Sequence, residues 1–181
     1  SKPIYEQIKD EEAVLPVRDY LMLSAGDSYA KCAEYRKANE CYKEVLAGNK
    51  QELASIALQK SYLVASEHSS EVNEDPGKIL SVAQHSLQNY PELVAEFWTR
   101  LGTDSFNAGQ YDSAKKYFDS AEKDASRDNK LLAGLYRAAI ALKLNSVNSA
   151  SESISVLDKF SEENALKEED VLYADYMLSY M

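Results

Sequence analysis

The sequence predicts an all-α chain assembled from antiparallel helix pairs, and three observations predict it. Ala, Leu, Glu and Lys dominate while β-branched runs are scarce, a composition that favours helix. Apolar residues recur at three- and four-residue steps along most of the chain, the spacing of a single helical face. A pattern also returns: Gly26, Tyr35, Ala38 and Tyr42 reappear 76 residues later as Gly102, Tyr111, Ala114 and Phe118. Ala138, Val147, Ala150 and Ile154 stand a further 36 residues on. A period near 34 to 36 residues is that of a helix-turn-helix repeat. The longer offset is two such periods plus an insert, and SSEVNEDP at 69–76 supplies it.

Residues 1–18 form a lead-in, and 19–50 the first pair, with Ala33 as a poor left-handed cap at its turn. The second pair, 52–89, has helices over 52–68 and 77–89, with Ala83 and Leu87 in the roles of Ala114 and Phe118. Between them SSEVNEDPGK reads as a polar loop. Pro91 suits the first turn of the third pair, 91–126. Gly102 costs about 1 kcal/mol relative to Ala inside a helix, which a close pass of the partner helix at Ala114 would explain. Gly109 sits between the two helices, where a left-handed cap suits glycine. The fourth pair covers 130–160, turning at Asn145. A final helix over 164–181 places Leu172, Tyr173, Tyr176, Met177 and Tyr180 on one apolar face. It either caps the array, opens a further repeat, or self-associates.

Composition narrows function. The net charge of −10 works against binding a phosphate backbone, so nucleic acid is not an expected partner and a complementary protein surface is. The most apolar stretch, LLAGLYRAAIALKL at 131–144, carries Arg137 and is shorter than the roughly 20 residues a membrane span needs. With 45% hydrophobic and 28% charged residues the chain has the composition of a soluble domain. It opens on Ser1 with no signal-peptide h-region. A cytoplasmic location is favoured, and a periplasmic one would follow from a leader no longer present. Cys32 and Cys41 lack CxxC spacing and read as free thiols.

No motif supplies an enzyme. Ser28 to Lys31 and Ser113 to Lys116 both satisfy S-x-x-K, and that duplication shows how little the pattern specifies. His68 and His85 are isolated. Glu71, Asn73 and Asp75 echo a calcium loop, but Pro76 and Val82 occupy its glycine and bidentate-glutamate positions. Neither a metal nor a cofactor is expected.

Trp98, Leu101, Gly102, Gly109, Tyr111, Ala114, Phe118 and Ala121 together resemble the tetratricopeptide repeat pattern, with Ser105 where a tyrosine is usual. The first unit keeps Gly26, Tyr29, Tyr35, Ala38 and Tyr42, while the second and fourth match in size and polarity. The resemblance implies a right-handed superhelical array, a concave groove lined by the first helix of each pair, and a scaffold or adaptor binding a partner's peptide or helix there. Carried over, groove positions fall at Tyr20, Asp27 and Lys31 in the first pair and Ala57, Ser61 and Val64 in the second. The third contributes Glu96, Arg100, Thr103, Phe106 and Asn107, and the fourth Leu135, Ala139, Leu142 and Lys143. Arg100, Phe106 and Asn107 are the expected centre. One branch of the family grips a C-terminal carboxylate with paired cations and amides. Here Leu23, Asp27 and Glu96 stand at such positions, and an acid beside a carboxylate repels it. Two alternatives remain: a structural element, monomeric or weakly oligomeric, associating through its last helix, or an accessory domain, of periplasmic or lipoprotein type, within a larger protein or complex.

Overall fold

The computed structural model describes residues 17–144, with the side chains of 127, 138 and 142 excepted. These residues form eight helices and no strand: α1 (Arg18–Lys31), α2 (Tyr35–Leu46), α3 (Gln51–Glu67), α4 (Ser69–Val72), α5 (Pro76–Ser86), α6 (Pro91–Asn107), α7 (Tyr111–Glu122) and α8 (Arg127–Lys143). The lead-in up to residue 16, the second helix expected in the fourth pair, and the final helix with Leu172, Tyr173, Tyr176, Met177 and Tyr180 lie outside the described residues. The chain divides into two compact units between Val94 and Ala95, within the first turn of α6.

In the first unit α1 packs on α2, α2 on α3, and α3 on α5. The sequence of α2 dictates its side: Ala38, Asn39, Cys41, Tyr42, Val45 and Leu46 recur at helical spacing and are all buried. The helices packed on that face contribute Met22 of α1, Leu58 of α3, and Ile79 and Leu80 of α5, each 1% exposed or less. Asp75 starts α5 by accepting a hydrogen bond from Gly77 N at 2.9 Å, with Pro76 at the first helical position. The stretch read as a loop contains one helical turn, α4. It forms because Val72 has a core to enter (7% exposed), after which Asn73 turns the chain with a φ of 52°.

In the second unit Ala114, Phe118, Ala133, Tyr136 and Ile140 form a core, with Phe106, Tyr111 and Leu132 packed on it. Phe118 stacks on Tyr136 with ring centroids 5.2 Å apart, and Phe106 meets Tyr136 edge-on at 5.0 Å.

The first three helices of the chain and the last three described repeat one another at an offset of 76 residues. Helix α7 lies 76 positions after α2 and is also 12 residues long, and α8 stands in the same relation to the 17-residue α3. A Cβ on Gly26 would lie 2.5 Å from the Tyr42 ring, and one on Gly102 would lie 2.8 Å from the Phe118 ring. The turns share most of their backbone bonds, although Cys32 N also reaches Tyr29 O at 3.0 Å and Ala108 N bonds Asp104 O alone. Glu34 N donates to Tyr29 O at 2.9 Å and Gln110 N to Ser105 O at 2.8 Å. Ala33 N donates to Ala30 O at 3.0 Å and Gly109 N to Phe106 O at 2.9 Å. This is the wrapped helix end that needs one left-handed residue. Ala33 holds that position at φ 58° and Gly109 at φ 75°.

An alanine at 109 would touch nothing within 4 Å, so any cost of Gly109→Ala is conformational. Gly109→Ala should lower unfolding free energy by about 1 kcal/mol, and Ala33→Gly should raise it by roughly 0.5–1 kcal/mol, read from urea melts.

Candidate functional site

Helices α1 and α3 open the first two pairs, and two contacts fix how they lie. Lys50, just before α3, pairs with Asp19 at 3.6 Å and sits 5.4 Å over the Tyr20 ring, near the start of α1. Further along both helices, Lys60 Nζ donates to Asp27 Oδ1 at 2.7 Å. The helices therefore run side by side and parallel, with a row of ion pairs between them.

Four large apolar side chains stand exposed along this pair: Tyr20 at 59%, Leu21 at 37%, Ile56 at 42% and Leu63 at 46%. Of the first-pair positions expected in a groove, Tyr20 and Lys31 are exposed and Asp27 is half-buried. In the second pair the expected register misses by one residue. Ala57, Ser61 and Val64 point into the core, at 0%, 0% and 7% exposed, because they belong to the stripe Leu53, Ala54, Ala57, Leu58, Ser61, Tyr62 and Ala65. Ile56, Lys60 and Leu63, each one position earlier, hold the open side. A helical wheel drawn on that buried stripe would have found them.

In the second unit Arg100 and Asn107 are exposed and Thr103 is half-buried, donating to Thr99 O at 3.0 Å. Phe106 is half-buried, its ring packed between Tyr111 at 5.4 Å and Tyr136 at 5.0 Å. Leu135 and Ala139 are buried at 0% and 1%, so neither offers a surface. Lys143 is exposed, and the side chain of Leu142 lies outside the described residues.

Asp27 ties the first unit's open side to its core. Besides Lys60 it accepts from Tyr42 Oη at 2.8 Å, and Lys60 lies 5.9 Å over the Tyr42 ring. Burial alone would raise the Asp27 pKa, but the hydrogen bonds from Lys60 and Tyr42 and the charges of Lys60 and Lys31 outweigh it, so the shift is downward. Burial, then the bond to Asp27, pushes the Tyr42 hydroxyl up, keeping it a donor.

A second polar chain, missed in the sequence, lies on the far side of α2. Ser61 Oγ donates to Asn39 Oδ1 at 2.6 Å, Asn39 Nδ2 donates to Glu74 Oε2 at 2.7 Å, and Lys43 Nζ donates to Glu74 Oε1 at 2.6 Å. Ser61 and Asn39 are fully enclosed, so each needs the other. Glu74 and Lys43 also wall a cavity of about 410 Å³ with Leu46, Ile79 and Val82 between α2 and α5. At the other end of the insert His68 stacks on Tyr35 at 3.4 Å. The insert residues thus hold the fold: Glu71 faces His68 at 3.4 Å, Glu74 clasps α2, and Asp75 caps α5.

Ser28 Oγ donates to Ser24 O at 2.9 Å instead of engaging Lys31. Cys32 is exposed, while burial, with help from Glu40 and Glu44, pushes the Cys41 thiol up to about 11, which suppresses its thiolate. Among the described residues no group of three or more His, Cys, Asp or Glu is placed to hold a metal, and no helix is long and apolar enough to cross a membrane.

Asn39→Ala should cost about 2–3 kcal/mol in a chemical melt, since it orphans the enclosed Ser61 hydroxyl and strips a donor from Glu74. The depressed Asp27 pKa carries a pH signature. Its stabilisation is full above the ordinary aspartate value of 3.8 and is lost as pH falls through the lower folded value. Lys60→Met should flatten that acid limb, and an NMR titration of the Asp27 carboxyl should show its midpoint move upward. No family model, no curated protein and no solved structure matches this chain.

Proposed function

We propose that this chain is a tetratricopeptide-type array of helix pairs that binds a segment of another protein and performs no chemistry itself. One observation carries the reading: the parallel helices α1 and α3 leave Tyr20, Ile56 and Leu63 open to solvent. Single exposed apolar residues are ordinary, but here Ile56 and Leu63 are seven apart on one helix with Tyr20 on its neighbour. The polar side chains between them are already held, Asp19 by Lys50 and Asp27 by Lys60 and Tyr42. A partner would meet a surface fixed beforehand, and little ordering entropy would be lost on binding. The recurrence of the glycine–aromatic contact and of the turn at a 76-residue offset supports the repeat reading.

The test compares affinity capture from native extract by the wild type and by Ile56→Asp/Leu63→Asp, quantified by mass spectrometry. Both positions are exposed, so helicity and melting should change little. Specific partners should fall at least tenfold. Undiminished capture would remove this face as the binding surface.

A further inference from the structure

The open side of α3 is a patterned stripe, and its pattern specifies a partner. Glu52, Ile56, Leu63 and Glu67 are all exposed. At 100° per residue they fall within an arc of about 60°, along about 22 Å of helix, with the two apolar residues about 10 Å apart. The order is acid, apolar, apolar, acid, with steps of four, seven and four residues.

Among the described residues neither end carries an ion pair, and only the acid at the start of the helix is favoured by the helix dipole. Lysines 50 and 60 are engaged with Asp19 and Asp27 on the α1 side, and no ion pair among the described residues involves Glu52 or Glu67. Glu52 lies in the first turn of α3, where the helix dipole favours an acid. Glu67 lies at the opposite end, where the dipole disfavours one, and the last turn holds no basic residue. An exposed carboxylate at 67 is tolerated because it is solvated, but nothing in the last turn of α3 offsets its charge. A cation brought by a partner would.

We propose that this stripe, taken as the binding face argued above, receives an amphipathic helix with two aliphatic residues seven apart, each flanked four residues outward by Lys or Arg. Seven residues is two helical turns on the partner as on α3, so both aliphatic contacts form in one register. Because the stripe reads the same from either end, the partner helix docks in both directions, and its charges set register rather than polarity.

The probe is an acetylated, amidated helical peptide of about eighteen residues, Ala- and Gln-based, with leucines seven apart and lysines four residues outside each. A second peptide carries glutamates in place of the lysines. Fluorescence anisotropy at low salt should find the lysine peptide binding wild type at least tenfold tighter than the glutamate peptide. In Glu52→Lys/Glu67→Lys the preference should invert, and in Ile56→Asp/Leu63→Asp both peptides should fail. The preference should fade between about 0.05 and 0.5 M salt as screening shortens. Equal affinities, or a preference that the charge reversal leaves unchanged, would overturn the proposal. If that happens while Ile56→Asp/Leu63→Asp still abolishes native capture, the binding face survives and only its partner chemistry falls. If native capture persists as well, the face itself falls.

Discussion

Everything in each unit hangs on one close approach, an aromatic ring laid against a helix that has no side chain at that point. Tyr42 against Gly26 and Phe118 against Gly102 bring paired helices nearer than any Cβ would allow. That proximity buries Ala38 and Ala114 one turn away at 0% exposure. The glycine's cost in helix propensity is offset by ring burial and by the dense packing the approach permits. The turns follow from it, since helices this close and joined by three residues must wrap sharply.

What surrounds that contact differs between the units. Tyr42 carries a hydroxyl, so its neighbours are Asp27 and Lys60, a polar clamp facing water. Phe118 has none, and the position equivalent to Lys60 is Tyr136, which stacks on it. One packing solution thus carries a charged lock in the first unit and an aromatic one in the second. The first leaves its helix face wet and contoured, while the second draws Phe106 and Leu135 inward.

The helical class was legible because apolar periodicity and helix-forming composition are local properties. The recurrence at 76 residues was legible because Gly102, Ala114 and Phe118 are conspicuous types that the contact cannot do without. The open face of α3 was read one residue out of register, at Val64 instead of Leu63, since family positions were carried onto a helix with few landmarks. Ile56 and Leu63 look like core residues in a sequence, and only the buried arc through Leu58, Ser61 and Tyr62 reveals that they are not. The packing of Phe106 was not legible either: a position facing outward along one helix can be partly covered by the next. The Asn39 chain was invisible because Asn39 and Glu74 are 35 residues apart and nothing local marks either as a partner.

That chain bears on how the insert at 69–76 can change. Trimming it would seem to restore a regular repeat, yet it would take from the enclosed Asn39 amide nitrogen the Glu74 carboxylate it donates to, leaving Ser61 tied to a half-satisfied partner. A shortened variant would stay folded only if Asn39 and Ser61 became apolar together, for example as Leu and Ala. The irregular segment and two core residues are therefore one heritable unit, and drift in any of the three is constrained by the others.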